Sequence, residues 1–291
     1  MTHPHSDARP ARPHRPRRPT GVPALAGALA LALLSACRPS PPEAGAAPVP
    51  AVEAPDAAAA QAPTATPPQA TRLEPAQVQS IVDGLLRSAY GADSFDASRA
   101  CWRHTFDAGA EPQDYCMRVA EPQVVAGEQG PQVYVLTYSD PEAGFYSLVD
   151  PGLQGLFAAQ AGADGTWTTL ASSPAIDMGQ AGDCGCQDSE LIQVGPGRYG
   201  WLSVAGGVWQ GVESSLYALQ VPLDGAFRNV SRIPRATESA PGETNVLEVD
   251  RDGTPVAGMY PLRVTRQRDQ TVVDTREVAF DPARGVYAWT P

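Results

Sequence analysis

Tight-turn signals between strand-like segments constrain the fold of this 291-residue chain more than any other feature. Asp-Gly pairs supply the positive φ angles that short hairpin loops need. Three pairs lie next to runs rich in β-branched and aromatic residues: Asp164-Gly165, Asp224-Gly225 and Asp252-Gly253. Successive hairpins predict an antiparallel meander that closes as a barrel or folds as a sandwich. The pairs follow no constant interval and no block repeats, so a propeller is the second choice.

The folded part is predicted to begin with one amphipathic helix. Glu74-Pro75 suits a helix start and Gly91 a helix end, and apolar residues recur every three or four positions between them. Those residues are Val78, Ile81, Val82, Leu85 and Ala89. Residues 133–138 give the clearest strand signal, a β-branched and aromatic run between two proline-containing turns. The predicted fold class is therefore mainly β, with a single N-terminal helix that packs on a sheet.

The first residues of the chain have the pattern of a secretory signal peptide. Basic residues lie before a run of mostly Ala and Leu over residues 22–34. The basic residues are Arg9, Arg12, Arg15, Arg17 and Arg18. As a helix, the apolar run extends about 20 Å, which is short of the ~30 Å hydrocarbon core of a bilayer. A cleaved export signal is therefore predicted rather than a transmembrane helix.

A short motif ends the apolar run, Leu34-Ser35-Ala36-Cys37. It resembles the lipobox of bacterial lipoproteins, in which small residues precede an invariant cysteine. The resemblance covers the leader only. It implies a signal peptide over residues 1–36, diacylglycerol on the Cys37 thiol, and a fatty acyl chain such as palmitate on its amino group. Arg38 stands where Asp is associated with inner-membrane retention, which implies the outer membrane, facing the periplasm.

Residues 37–71 are predicted to be a tether between that cysteine and one folded domain. Residues 38–71 contain nine prolines and twelve alanines, with scarcely a large apolar side chain. Such a segment buries too little apolar surface to offset its ordering entropy, so disorder is predicted, with a contour length on the order of 100 Å. Residues 72–291 are long enough for a single domain with a substantial core.

The charge of the predicted domain excludes several classes of function. Residues 72–291 hold 15 arginines and 28 acidic residues, a net charge of −13, and the whole chain contains no lysine. An acidic domain repels phosphate backbones and anionic lipid head groups, so no nucleic-acid partner is predicted, and membrane attachment depends on the lipid anchor. Without lysine, a Schiff-base enzyme and a P-loop are both excluded.

Four cysteines remain in the exported domain, and an even number there predicts two disulfides. Of the three possible connectivities, Cys101–Cys116 with Cys184–Cys186 is favoured. The first bridge would close a loop worth about 3 kcal/mol in the chain-entropy model. The second, across Gly185 alone, is interpreted as a structural staple, and the alternative is a redox-active bridge. The spacing is not that of a zinc site, so no metal is predicted.

Signatures of catalysis do not stand out in the sequence. His104 is the one histidine after the leader, and no Gly-x-Ser-x-Gly elbow accompanies it. Residues 250–253 resemble only the start of a calcium loop. No catalytic residue and no cofactor is predicted, which favours a binding or structural protein over an enzyme.

An aromatic cluster among six glycines is the candidate ligand site, formed by Tyr199, Trp201 and Trp209. In a strand pair Tyr199 and Trp201 share one face, and Trp209 faces them across a turn at Gly206-Gly207. Such a surface suits the stacking of a sugar ring or a peptide. The alternative is that the aromatic side chains fill the core.

These patterns together predict a lipid-anchored envelope protein that binds another envelope protein or peptidoglycan in the periplasm. A glycan-binding or glycan-active protein that uses Tyr199, Trp201 and Trp209 is the alternative. Redox chemistry at Cys184 and Cys186 is a third hypothesis.

Overall fold

The computed structural model describes residues 72–107, 111–209 and 211–290, with the backbone alone for Val208 and Trp209. These residues lie in one compact unit, Thr64–Pro291. The predicted signal peptide, Cys37 and the predicted tether lie outside the described residues.

One helix and seventeen strands make up the described part of the chain, so the predicted mainly β class with one N-terminal helix is confirmed. The helix is α1 (Pro75–Tyr90). The first sheet contains β1 (Phe95–Asp96), β2 (Cys101–Phe106), β3 (Gln113–Val119), β4 (Gln123–Gly127), β5 (Gly130–Ser139), β6 (Gly152–Ala161) and β7 (Trp167–Met178). Its order is β1-β2-β3-β5-β6-β7, with β4 also paired to β5.

The second sheet is a further antiparallel meander. Its strands are β8 (Glu190–Gly195), β9 (Arg198–Trp209), β10 (Val212–Leu223), β11 (Ala226–Asn229), β12 (Pro234–Ala236), β13 (Glu243–Val249), β14 (Leu262–Arg268) and β15 (Thr271–Val278). Its order is β15-β14-β13-β12-β10-β9-β8, with β11 also paired to β10. A small hairpin of β16 (Phe280–Asp281) and β17 (Val286–Tyr287) follows.

Helix α1 forms where the sequence predicts it. Pro75 lies in the first turn, where its missing N–H leaves no hydrogen bond unmade. The Gln77 side chain accepts a hydrogen bond from the Glu74 backbone N–H at 2.9 Å, and Gly91 ends the helix at a φ of 101°. The buried face packs on the first sheet and consists of Ile81, Val82, Leu85, Leu86 and Tyr90.

The first sheet is covered on both faces, which explains the continuous apolar run in β5. Val133 and Val135 pack with α1, whereas Tyr134 and Leu136 pack towards the second sheet. Successive side chains of a strand point to opposite faces, so a strand buried on both faces is apolar throughout. The chain is therefore layered in the order helix, first sheet, second sheet.

The second sheet shares one of its faces with the first. Trp201 and Phe227 lie in the apolar layer between the two sheets. Hydrogen bonds also join them, since the Ser172 N–H donates to the Gly225 carbonyl at 3.0 Å and the Phe227 N–H donates to Ser173 Oγ at 2.9 Å. Two antiparallel sheets thus pack face to face here, as in the predicted sandwich.

The other face of the second sheet curls around a core of its own. Val194 on the edge strand β8 packs in one cluster with Met259 and Leu262 near β14, and the Tyr260 N–H donates to the Val194 carbonyl at 2.8 Å. The edge strand β8 thus meets the segment that leads into β14. The enclosed core is formed by Val194, Leu219, Val221, Val230, Ile233, Leu247, Met259, Leu262, Val264, Val278, Phe280 and Tyr287.

The predicted turns are partly correct. Asp224-Gly225 joins β10 to β11 with φ angles of 52° and 79°, which is the two-residue hairpin that Asp-Gly favours. Asp164-Gly165 lies in the turn between β6 and β7. The predicted turn at Gly206-Gly207 is wrong, because both glycines lie inside β9. The chain reverses further on, between Trp209 and Val212, which are paired across the hairpin.

Candidate ligand-binding site

Both disulfides favoured from the sequence are present. Cys101 bridges to Cys116 and links β2 to β3, and Cys184 bridges to Cys186. Cys184 and Cys186 are 2% and 0% exposed. A reductant has to reach a sulfur atom to attack it, so this burial favours the structural staple over the redox interpretation.

We expect the Cys184–Cys186 bridge to resist mild dithiothreitol in the native protein, because both residues are buried. Thiol titration should detect no free thiol in the folded protein and the thiols of both bridges after unfolding in the same reductant. The double variant Cys184→Ser/Cys186→Ser is the control. Thiols that appear in the native protein and are missing from this variant would support the redox hypothesis instead.

Trp201 has a core role rather than the predicted role of a ligand platform. It is 3% exposed and packs between the two sheets. Tyr199 lies on the same face, with its ring centre 6.1 Å from that of Tyr134, and its hydroxyl donates to the Ala126 carbonyl at 3.3 Å. The Trp209 side chain lies outside the described residues. The predicted shared face thus exists for Tyr199 and Trp201, but it is turned inwards.

His104 lies on β2, at a separate cavity. Its ring packs edge-on against Tyr90, with 5.3 Å between ring centres. Burial lowers the pKa of His104, so its imidazole is neutral at pH 7. This contact makes His104 a packing residue of the first sheet.

The strongest candidate site lies where the curled second sheet opens. Asn245 on β13, Arg266 on β14 and Asp274 on β15 are direct cross-strand neighbours. Two positions along on the same face, Leu247 and Val264 belong to the enclosed core, so the polar row begins where the core ends. We call this the mouth site. It consists of Asn245, Arg266, Asp274, Arg276 and Trp289 around a cavity of about 290 Å³.

The size and place of the mouth site are those of a small-ligand pocket. Its volume, about 290 Å³, is close to the lower limit of small-molecule sites, which occupy about 300–1,000 Å³. Strand β12 and the residues after it form one wall, and Trp289 near the end of the chain forms another. The open end of a curled or closed sheet is a frequent place for such pockets.

Three buried polar atoms of the mouth site have no hydrogen-bond partner: Asn245 Oδ1, Arg266 Nε and Trp289 Nε1. Five such side-chain atoms occur in the described part of the chain, so more than half lie in this one cavity. Asn245 Nδ2 donates to the Pro234 carbonyl at 2.7 Å, which orients the amide and leaves Oδ1 as the free acceptor. An unpaired buried polar group costs about 1–3 kcal/mol, so this concentration points to a site that a ligand completes.

Ion pairs hold the arginines of the mouth site in place. Arg276 Nε donates to Asp274 Oδ2 at 2.8 Å, and the Arg276 guanidinium lies 5.8 Å from the centre of the Trp289 ring. Arg266 Nη1 is 3.6 Å from Glu243 Oε2, and its Nη2 is 4.0 Å from Asp274 Oδ2. The hydrogen bond from Arg276 is the main cause that lowers the pKa of Asp274, so this carboxylate stays ionised at neutral pH. The polar groups are therefore positioned before any ligand arrives.

Sequence reasoning missed the mouth site because its residues are brought together by strand register and form no motif. One feature of the sequence of β14 indicates the site: Leu262, Val264 and Arg266 occupy alternate positions and so share a face. Leu262 and Val264 are buried in the enclosed core, and Arg266 continues their row. A charged residue that continues a row of buried core residues along a strand therefore indicates where the core ends and a binding site begins.

No family model, no curated protein and no solved structure matches this chain. Within residues 72–107, 111–209 and 211–290, no group of three or more His, Cys, Asp or Glu side chains is arranged to hold a metal ion. The same part of the chain has no helix that is long and apolar enough to cross a membrane.

Proposed function

We propose that this chain is a lipid-anchored protein of the bacterial cell envelope that acts by binding rather than by catalysis. The lipobox-like motif supports lipid attachment at Cys37, and Arg38 supports the outer membrane with the domain facing the periplasm. The tether rich in Pro and Ala supports a domain that reaches away from the membrane surface. Such a domain needs a covalent anchor, because its acidic charge repels anionic lipid.

The proposed ligand is a glycan, bound in the mouth site. The observation that carries this proposal is the group of three unpaired atoms. A sugar hydroxyl both accepts and donates a hydrogen bond, so neighbouring hydroxyls satisfy the donors Arg266 Nε and Trp289 Nε1 and the acceptor Asn245 Oδ1. The glycan strands of peptidoglycan are the ligand of this chemistry that a tethered periplasmic domain meets.

Glycan hydrolysis fits the mouth site less well than glycan binding. A glycosidase of the usual kind needs two carboxyl groups, of which one is protonated to act as the acid. The hydrogen bond from Arg276 lowers the pKa of Asp274, and Glu243 is ion-paired with Arg266 and Arg268. Asp274 therefore lacks the raised pKa of a general acid, which supports a binding role.

We expect Trp289→Phe to weaken binding of soluble peptidoglycan disaccharide fragments about 10- to 100-fold, because it removes one unpaired donor and keeps an aromatic ring. Removal of the unpaired indole N–H relieves a burial cost of about 1–3 kcal/mol, which offsets the packing lost with the smaller ring, so Trp289→Phe should lower the free energy of unfolding by less than about 1 kcal/mol. Isothermal titration calorimetry measures the first effect and urea unfolding the second.

Arg266→Gln and Arg263→Gln provide a matched pair of variants. Both arginines lie on β14 and both are ion-paired, but Arg263 bonds to Glu248 at 3.2 Å on the opposite face of the strand. Arg266→Gln should weaken binding of the same fragments, and Arg263→Gln should leave it unchanged. Equal affinities of the two variants, or a parent protein that binds no fragment, would contradict the proposal.

A further inference from the structure

The connection between β5 and β6 presents three large apolar side chains to solvent. Phe145, Leu148 and Val149 are 101%, 77% and 89% exposed. The next most exposed large apolar residue in the described part of the chain is Val272, at 59%. We call residues 142–150 the apolar loop. Clustered exposed apolar residues of this kind mark contact with a partner or a membrane.

The base of the apolar loop is held firmly, so its tip is presented rather than merely loose. The Tyr146 ring stacks on Tyr115 with 5.1 Å between ring centres, and the Tyr146 hydroxyl donates to the Asp114 carbonyl at 3.2 Å. On the other side, the Gly182 N–H donates to the Asp150 carbonyl at 3.2 Å. Tyr146 thus points inwards, while its neighbour Phe145 points outwards.

We infer that the apolar loop inserts Phe145, Leu148 and Val149 into the interface of the membrane to which the protein is anchored. The inference rests on the proposed lipid anchor at Cys37, which keeps the domain close to a bilayer. An anchored domain meets the membrane at high effective concentration, so a few side chains suffice for a second contact. Side chains of this kind bind at the boundary between head groups and acyl chains.

A lipid surface fits the apolar loop better than a protein partner does. Stable protein interfaces bury about 800 Å² on each side with close shape complementarity, whereas this loop offers only three large apolar side chains. A bilayer accepts such side chains without a matching surface. Glu142 and Asp150 flank the tip and repel anionic head groups, so the expected surface is zwitterionic phospholipid.

The apolar loop and the entry of the chain into the domain lie near opposite ends of α1, so the proposed membrane contact requires a long tether. Leu73, two residues before α1, lines one cavity with Gly162, whereas Tyr90, at the end of α1, lines another with Gly144 of the loop. The 16 residues of α1 span about 24 Å between these two ends. Insertion of the loop therefore turns the chain entry away from the bilayer, and a tether with a contour on the order of 100 Å easily allows this.

The test uses the full lipidated chain in phosphatidylcholine vesicles. Phe145→Trp places a tryptophan at the loop tip, and Val272→Trp places one at an exposed position of β15 as the matched control. The difference in emission from the parent protein isolates the added tryptophan. We expect the Phe145→Trp emission to shift to shorter wavelength and to lose most of its intensity when brominated lipid is used, while Val272→Trp keeps its emission.

Three other outcomes would overturn the inference, and they are distinguishable. If both added tryptophans keep their emission on vesicles that carry the protein, the loop does not insert, although the anchor stands. If the protein does not float with the vesicles at all, the anchor fails and the loop contact fails with it. If the Phe145→Trp emission responds only to added envelope proteins, the loop binds a protein partner.

Discussion

Cys37→Ala is expected to move the protein out of the membrane fraction and to abolish its labelling by a fatty-acid analogue. In the proposed function the Cys37 thiol is the attachment point, and acyl chains bind a bilayer with about 0.8 kcal/mol per buried methylene. Three such chains hold a protein essentially permanently. The net charge of −13 on residues 72–291 offers no electrostatic attraction that replaces them.

Residual attachment of Cys37→Ala would locate the second membrane contact. The apolar loop is expected to give weak, reversible binding that Phe145→Ser removes. Ser40→Ala, which changes the tether and keeps the lipobox, is the control and should fractionate like the parent. Labelling of Cys37→Ala by the fatty-acid analogue, or its full retention in membranes after a high-salt wash, would contradict the lipid anchor.

The parts of the fold that local sequence patterns encode were predictable. The periodicity of Ile81, Val82 and Leu85 predicts a helix with one buried face, and these residues are buried against the first sheet. Asp224-Gly225 predicts a two-residue hairpin, because both positions need a positive φ and these residues accept it. In both cases the decisive interactions lie within a few residues of the chain.

The structural role of a glycine cannot be predicted from local sequence where that role depends on a neighbouring strand. Gly206 looked like a turn residue, but a Cβ there would lie 2.2 Å from the Ser214 carbonyl oxygen. It allows the close approach of β9 and β10 rather than a reversal of the chain. The converse case is Asp269-Gln270, where a hairpin between β14 and β15 has φ angles of 49° and 65° without glycine. Local composition does not separate these cases.

The candidate site could not be predicted from local sequence patterns, for a related reason. Trp201 beside Gly200 suggested an open platform, yet a Cβ on Gly200 would lie 2.9 Å from the Gln220 carbonyl oxygen, so the glycine serves close packing. Asn245, Arg266 and Asp274 become neighbours only through the register of three strands. Register depends on the buried pattern of the whole sheet, which no single segment contains.

Gly152→Ala is expected to cost about 3 kcal/mol or more of the free energy of unfolding, which is the upper end of overpacking effects. A Cβ at Gly152 would lie 2.0 Å from the Cys184 backbone N and 2.1 Å from the Asp183 carbonyl carbon. These are backbone atoms, so no side-chain rotation relieves the overlap. In the variant, the first residue of β6 therefore has to move away from residues 180–186, which we call the disulfide loop.

The disulfide loop has little freedom to move away from Gly152. Its residues Cys184 and Cys186 are bonded to each other, and the N–H groups of Gln180 and Asp183 each donate to the other residue's carbonyl at 3.0 Å. Gly207→Ala is the matched control, because a Cβ there meets nothing within 4 Å and the residue does not need a positive φ. It should change the stability by no more than about 0.5–1 kcal/mol in urea unfolding. Similar urea-unfolding midpoints for Gly152→Ala and Gly207→Ala would contradict this prediction. They would show that the disulfide loop moves to accommodate the new methyl group, and that the Cys184–Cys186 bridge does not hold the loop against β6.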